Sequence, residues 1–251
     1  MAEIVIKDFV IQANGRQIYG KLFCPADEGV YPAIIMSHGY NGCHGDFPHE
    51  SLHVAKNGYV VCTFDFCGGS LKSKSSGRTE DMTIFTEKED LRAVMEYVRK
   101  LEQVDASRLF LMGGSQGGLV TSLVAEDVEE LISGMILYFP ALNIPADWRE
   151  HFKTVEDIPE TFELWGMKLG RNFFQSIRDF DTFEHIGGFS KDVLVIHGDR
   201  DSIVIVENSE RAQKLYKNME LVVLPGEGHG FSPAGTEKAT ELILEFLKKH
   251  C

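Results

Sequence analysis

A serine at the tip of a glycine-rich turn is the group in this chain best suited to nucleophilic chemistry. Ser115 stands in Gly113-x-Ser115-x-Gly117, after the apolar run of residues 109–112 and before apolar residues at helical spacing. A sharp turn between a strand and a helix exposes such a hydroxyl, and the flanking glycines remove side chains that would clash. The backbone N–H of Gln116 would open the helix, where the partial positive charge favours an oxyanion. A glycine-rich turn can also bind phosphate, so residues elsewhere in the chain are needed to distinguish a nucleophile from a phosphate site.

Two aspartates and a histidine follow Ser115 along the chain. Asp199 and Asp201 come after one apolar run, and His229 stands between two glycines after the next. The order serine, acid, histidine suits acyl transfer by a catalytic triad. In such a triad Ser115 attacks a carbonyl, His229 takes its proton and returns it to the leaving group, and an aspartate orients the imidazole.

The acid is assigned from its position in a short motif. The stretch starting at His197 fits the pattern H-G-x-x-D-x-x-V, whose acid stands three residues after the glycine. This selects Asp201 as the triad acid. We expect Asp199 to cap the turn or to pair with Arg200.

An early loop supplies a second candidate for stabilising an oxyanion. His38-Gly39-Tyr40 ends an apolar run, at the place where a second backbone donor is expected. We predict that the backbone N–H of Tyr40 donates beside that of Gln116, and that His38 has a structural role. Each such donor lowers a barrier by about 3 kcal/mol.

Three further histidines raise the question of a metal site. His44, His49 and His53 lie on a loop and a weak helix, and we see no cysteine or carboxylate at ligand spacing beside them. We therefore expect surface histidines, no metal and no cofactor.

Apolar runs and helical patterns alternate through most of the chain, which predicts a mainly parallel sheet covered by helices on both faces. An Asn14-Gly15 hairpin precedes this α/β region. Predicted strands cover residues 3–11, 16–23, 31–37, 60–64, 109–112, 134–139, 192–196 and 220–224, and predicted helices cover residues 46–57, 84–101, 205–217 and 236–249. Ligands of such sheets bind beyond the carboxyl ends of the strands, where every candidate residue falls. We expect one domain over residues 1–251.

Residues 141–188 interrupt the alternation, and we interpret them as a small helical insertion, or cap. Eight aromatic residues are mixed there with charged ones: Trp148, Phe152, Phe162, Trp165, Phe173, Phe174, Phe180 and Phe183. Rings of this kind can line a substrate pocket. We expect most of them to form the core of the insertion instead, because a small insertion must bury something.

The composition limits the partners. A net charge of −13 disfavours nucleic acid and anionic membranes as partners. The sequence contains no run of eighteen apolar residues, so we expect no membrane span. The first residues show no leader pattern, and the five cysteines have no zinc-like spacing. We expect a cytoplasmic protein with a small-molecule ester as its partner, and we leave a homodimer open.

With Ser115, Asp201, His229 and the His38-Gly39-Tyr40 loop identified, the chain resembles serine esterases of the α/β-hydrolase superfamily. More narrowly it is similar to bacterial feruloyl (cinnamoyl) esterases. The supporting stretches are IIMSHGY at 34–40, GSQGG at 114–118, VIHGDRD at 195–201 and LPGEGH at 224–229. The resemblance implies the α/β-hydrolase fold and release of hydroxycinnamic acids from esters, with the insertion forming part of the substrate site. The chain departs from that family at residues 65–70, which read DFCGGS, and at Gly114 before the serine.

Other functions are weighed against the carboxylesterase. A serine peptidase of the prolyl-oligopeptidase type shares the H-G-x-x-D-x-x-V pattern. Such enzymes usually carry a large N-terminal propeller, which these residues do not include, so we expect the esterase. A binding protein on a decayed hydrolase fold is disfavoured because all three triad residue types are present. A dehalogenase is disfavoured because the nucleophile is a serine.

Overall fold

Strands and helices alternate along the chain in the computed structural model, which describes residues 3–250. The strands are β1 Ile4–Ala13, β2 Arg16–Pro25, β3 Tyr31–Ser37, β4 Val60–Phe64, β5 Val104–Gly114, β6 Gly134–Tyr138, β7 Thr161–Leu164, β8 Met167–Gly170, β9 Val193–Gly198 and β10 Met219–Leu224. The helices are α1 Pro48–Lys56, α2 Ile84–Val98, α3 Gln116–Asp127, α4 Ile144–His151, α5 Arg171–Ile177, α6 Glu207–Gln213 and α7 Pro233–Lys249.

Eight of the strands form one sheet in the order β1-β2-β4-β3-β5-β6-β9-β10. β1 pairs antiparallel with β2, and β2 with β4, whereas the neighbours from β4 to β10 are parallel. The predicted hairpin is confirmed, and its Asn14 and Gly15 have φ values of 51° and 73°. Two positive φ values suit a tight hairpin turn whose twist matches that of the strands.

The apolar runs are buried on both faces of this sheet. Along β3, Ala33 and Ile35 join one apolar cluster with α2 and α3, while Ile34 and Met36 join a second with α1 and α7. Alternate side chains of a strand point to opposite faces, so one continuous apolar run serves two cores. The fold is that of the α/β-hydrolases, as predicted.

The segment 141–188 combines helices with a hairpin. It contains α4 and α5, and between them β7 and β8 pair antiparallel. The hairpin departs from the helical insertion expected from the sequence. Its turn is formed by Trp165 and Gly166, with φ values of 47° and 80°. We call β7, β8 and this turn the cap hairpin.

Two further expectations concern the environment of the chain. Within residues 3–250 no helix combines the length and the apolar character needed to cross a bilayer. Cys24, Cys43, Cys62 and Cys67 are free thiols, and Cys62 lies in the core as predicted. Cys251 lies outside the described residues.

Candidate active site

The turn between β5 and α3 holds Ser115 in a strained backbone conformation. Its φ and ψ are 53° and −121°, a region that costs free energy for a residue with a side chain. Close packing enforces the turn: a Cβ on Gly113 would lie 2.2 Å from the Gly117 carbonyl oxygen, and one on Gly117 would lie 2.3 Å from the His38 carbonyl oxygen. Glycine is therefore required at both positions, and the serine hydroxyl projects beyond the end of β5.

Three predicted site residues meet at this edge of the sheet. His229 Nε2 lies 2.9 Å from Ser115 Oγ, and His229 Nδ1 lies 2.8 Å from Asp201 Oδ2. The carboxylate can only accept at Nδ1, so this ring nitrogen carries the proton and Nε2 is free to accept from the serine. Such an arrangement can deprotonate Ser115 during attack on a carbonyl.

The two candidate aspartates have different surroundings. The Asp201 side chain is fully buried, and its Oδ1 accepts from the backbone N–H groups of Ile203 and Val204 at 2.9 and 2.8 Å. Asp199 is exposed and accepts from the Gly226 N–H at 2.6 Å. Asp199 therefore joins two loops, while Asp201 faces His229.

A second imidazole stands behind the triad carboxylate. His197 Nε2 lies 3.3 Å from Asp201 Oδ2 and 2.8 Å from the Val204 carbonyl oxygen, and its Nδ1 lies 2.8 Å from Ser209 Oγ. Burial lowers the pKa of His197, which favours a neutral ring. In that form Nε2–H donates to Val204 and Nδ1 accepts from Ser209, so His197 fixes the loop that presents Asp201.

The ring of Phe139, directly after β6, packs against His229. The ring centroid of Phe139 lies 4.6 Å from that of His229 and 5.0 Å from that of Phe231. Phe139 has a φ of 33°, which is uncommon for a bulky residue. The strained backbone directs its ring against the imidazole.

The loop after β3 brings the second predicted oxyanion donor beside the serine. A Cβ on Gly39 would lie only 3.1 Å from Ser115 Cβ, so the chain at Gly39 and Tyr40 passes directly over Ser115. His38 is buried and holds this loop: its Nε2 accepts from the Phe66 N–H at 3.0 Å, and its Nδ1 donates to the Gly39 carbonyl at 2.8 Å.

Over residues 3–250, the backbone N–H groups of Tyr40 and Gln116 have no hydrogen-bond partner. Buried N–H groups are nearly always paired. Both residues line the same cleft as Ser115, so the two groups can serve an oxyanion there.

A buried carboxyl lies behind Gln116. Glu87 of α2 accepts from Gln116 Nε2 at 2.9 Å and is almost completely enclosed. Burial raises the pKa of Glu87 to about 8, because the anion loses its hydration. The carboxyl is therefore neutral at pH 7, and ionisation in alkaline solution would place a negative charge behind the oxyanion donor.

Ser115 lines a cleft of about 480 Å³ between the sheet and the cap. Half of the eight aromatic residues in the cap line it, which exceeds the share expected from the sequence: Trp148, Phe162, Trp165 and Phe173. The others pack within or beneath the cap; Phe152 and Phe174, for example, have ring centroids 5.1 Å apart. The cleft therefore offers aromatic rings to a substrate, beside the polar side chains of Asn143 and Asp147.

The expectation that His44 has no cysteine or carboxylate neighbour is wrong. Cys43, His44 and Asp65 bring potential ligand atoms within 4.8 Å of one another. Asp65 lies 21 residues from His44 in the chain and reaches it because β4 pairs with β3, a proximity that local spacing does not show. Its Oδ1 accepts from the backbone and ring of His44 at 2.6 and 2.8 Å, and its Oδ2 accepts from the Lys74 N–H at 2.8 Å. These hydrogen bonds satisfy the buried carboxylate.

Three residues around the site were not assigned a role from the sequence: Glu87, His197 and Phe139. Glu87 carried a usable signal, since it precedes Leu91 by four residues and so shares the buried face of α2. His197 stands in the same motif as Asp201. The contact of Phe139 with His229 has no counterpart in local sequence, because it joins β6 to the loop after β10.

Residues 46–251 match the prolyl oligopeptidase family. The chain belongs to this family. The α/β-hydrolase fold and the arrangement around Ser115 agree with this membership.

The curated relatives of this chain include proteins named as esterases and proteins named as peptidases. The chain is 23% identical to the esterase EstD of Thermotoga maritima, in an alignment that covers 95% of the chain and 63% of EstD. It is 24% identical to the uncharacterized peptidase YuxL of Bacillus subtilis (strain 168), covering 88% of the chain and 35% of YuxL. The chain thus spans less than two thirds of either relative.

A solved structure is similar over nearly the whole chain. Est1E from Butyrivibrio proteoclasticus, with bound ferulic acid, superposes with a TM-score of 0.83 at 28% identity. The match covers 94% of this chain and 98% of Est1E.

Proposed function

We propose that this chain is a serine carboxylesterase that hydrolyses small acyl or aryl-acyl esters through an acyl-enzyme intermediate. The observation that carries the proposal is the aromatic cleft directly beside Ser115. Trp148, Phe162 and Trp165 supply flat apolar surface next to the nucleophile. Such surface suits an aromatic acyl group, which gains from ring contacts beyond simple burial.

The proposed reaction uses groups already in place. Ser115 Oγ attacks the ester carbonyl while His229 accepts the proton, and the resulting imidazolium is stabilised by Asp201. The oxyanion accepts from the backbone N–H groups of Tyr40 and Gln116. Return of the proton releases the alcohol, and a water molecule then repeats the sequence on the acyl-enzyme.

A polar pair in the cap favours an acyl group that carries a hydroxyl. Asn143 Nδ2 donates to Asp147, and burial raises the pKa of the Asp147 carboxyl. The Oδ1 atom of Asn143 is buried without a hydrogen-bond partner in residues 3–250. Asn143 and Asp147 both line the cleft beside the aromatic rings, and their side chains can accept a hydrogen bond from the phenolic hydroxyl of a hydroxycinnamoyl group. The similarity to Est1E, solved with ferulic acid, agrees with this substrate class.

The test is a paired assay with p-nitrophenyl butyrate and methyl ferulate, with Ser115→Ala as the control. We expect the wild type to cleave both esters and the variant to lose about 10⁴-fold or more of the activity while retaining its circular dichroism spectrum. Cleavage of the butyrate alone would keep the esterase and refute the aryl-acyl substrate. An active Ser115→Ala variant would refute the mechanism.

A serine peptidase is the second candidate, and membership in the prolyl oligopeptidase family favours it. The same triad can cleave an amide if His229 protonates the departing amine. Blocked and free aminoacyl p-nitroanilides separate the two functions. Anilide cleavage at a higher kcat/KM than ester cleavage would establish the peptidase instead.

A further inference from the structure

Tyr40 contacts both sides of the cleft. Its backbone belongs to the loop that passes over Ser115, and its ring extends toward the cap hairpin. There its hydroxyl lies 3.0 Å from the Leu164 carbonyl oxygen and 3.3 Å from the Met167 carbonyl oxygen. The ring centroids of Tyr40 and Trp165 are 5.9 Å apart, with the rings edge to face.

The hydroxyl of Tyr40 has one proton, which it shares between these two carbonyl oxygens, and this contact holds the tip of the hairpin. Leu164 and Met167 are the last pair of the β7–β8 ladder and flank the turn of Trp165 and Gly166. Within residues 3–250, no other group outside the hairpin forms a hydrogen bond with residues 164–167. The opposite end of the hairpin is fixed separately, since the Nδ2 group of Asn172, two residues after β8, donates to the Asp81 carbonyl oxygen at 3.3 Å.

The Tyr40 hydroxyl is well suited to this role. The acceptors are carbonyl oxygens, so the phenol must donate, and it does so only while protonated. Burial raises the pKa of Tyr40 well above its ordinary value. The hydroxyl therefore remains a donor through the whole range in which an esterase is assayed.

The tip carries part of the wall that faces the substrate. Leu164 and Trp165 line the cleft together with Ser115, yet Trp165 is 65% exposed and has little packing of its own. The position of its ring depends on the backbone of the turn. The backbone of the turn is held by the burial of Met167 in the core and by the hydroxyl of Tyr40, whose own N–H belongs to the loop over Ser115.

We propose that Tyr40 determines acyl specificity by fixing the cap hairpin at a set distance from the oxyanion hole. Its hydroxyl positions Leu164 and Trp165 against a large acyl group, while its backbone N–H holds the ester carbonyl. A ring on the acyl side is thus aligned by the same residue that aligns the reacting bond. The substrate side of this inference depends on the esterase function proposed above.

The test compares Tyr40→Phe with Tyr31→Phe. Tyr40→Phe keeps the ring and removes only the hydroxyl. Tyr31 also donates to a backbone carbonyl, that of Asp27 at 3.1 Å, far from the cleft, so Tyr31→Phe is a matched control. For each protein, kcat/KM is measured with methyl ferulate and with p-nitrophenyl acetate, and hydrogen–deuterium exchange is followed in residues 161–170.

We expect Tyr40→Phe to lower the ratio of the two kcat/KM values, ferulate over acetate, about tenfold, as loss of one positioning hydrogen bond allows. Most of the change should be in KM for ferulate, and amides 161–170 should exchange faster. Tyr31→Phe should match the wild type in both measurements. An unchanged ratio, or equal losses on both esters, would overturn the proposal.

The exchange measurement separates this inference from the proposed function. If the wild type does not cleave ferulate, the aryl-acyl substrate is refuted, and the exchange rates alone then judge the role of Tyr40. Unchanged exchange in Tyr40→Phe would show that its hydroxyl does not hold the hairpin.

Discussion

The sheet side of the cleft is fixed by buried backbone, whereas three of the four rings on the cap side are partly or largely exposed. On the sheet side, Asp201 accepts two backbone hydrogen bonds in addition to that of His229, and the turn between β5 and α3 leaves no room for a side chain at Gly113 or Gly117. On the cap side, Trp165 is 65% exposed, and its turn is held by the buried side chain of Met167 and by the hydroxyl of Tyr40. The first side can fix a reaction, and the second can change its substrate without disturbing that reaction.

The largest expected effect separates two neighbouring aspartates on the sheet side. Asp201→Asn should lower kcat about 10⁴-fold, because the amide favours the wrong imidazole tautomer. Asp199→Asn removes a charge two residues away and should leave kcat within about twofold, since Asp199 accepts from the Gly226 N–H and, within residues 3–250, forms no hydrogen bond with the catalytic candidates. Steady-state kinetics on p-nitrophenyl butyrate measure both variants. Comparable losses in the two would contradict the assignment of the acid.

An intermediate effect is expected on the cap side. Trp165→Ala should raise KM for methyl ferulate about tenfold, equivalent to about 1.4 kcal/mol of lost ring contact, with kcat little changed. The thermal midpoint should stay close to that of the wild type, because the ring is largely exposed. Val10→Ala, which trims a 53% exposed side chain on the far edge strand, is the control. A fall in kcat as large as the rise in KM would show that the cap also fixes the reaction.

The smallest effect concerns the charge behind Gln116. The pKa of Glu87 is about 8 in the folded protein, against about 4.3 for an unperturbed glutamate. The folded state thus holds this proton more tightly, so the stability due to Glu87 is fully present below about pH 4 and is lost as the pH rises through 8. Its anion would also oppose the oxyanion near Gln116.

We therefore expect kcat of the wild type to fall a few-fold between about pH 7 and pH 9.5, with a smaller fall in Glu87→Gln. The thermal midpoint of the variant, relative to the wild type, should rise between about pH 4.3 and pH 8 and stay constant above that, where Glu87 is ionised in both the folded and the unfolded state. Parallel pH profiles for the two proteins, in both kcat and thermal midpoint, would argue against a titrating Glu87.

The sheet side of the cleft could be predicted from the sequence, whereas the cap side could not. Ser115, Asp201 and His229 each stand in a short motif at the end of an apolar run, so their meeting follows from the parallel sheet. The cap hairpin has strands of only four residues, and its rings occur among charges without a clear period. The role of the Tyr40 hydroxyl depends on a contact 124 residues away in the chain, which no local pattern records.

The separation of the triad along the chain has a kinetic consequence. Ser115 and His229 are 114 residues apart, and the strands that bring them together, β6, β9 and β10, are added to the sheet through non-local parallel pairings. Loop closure makes such pairings slow to form. The bond between Ser115 and His229 can exist only once β9 and β10 have joined the edge of the sheet, so recovery of activity during refolding marks completion of the C-terminal half of the protein.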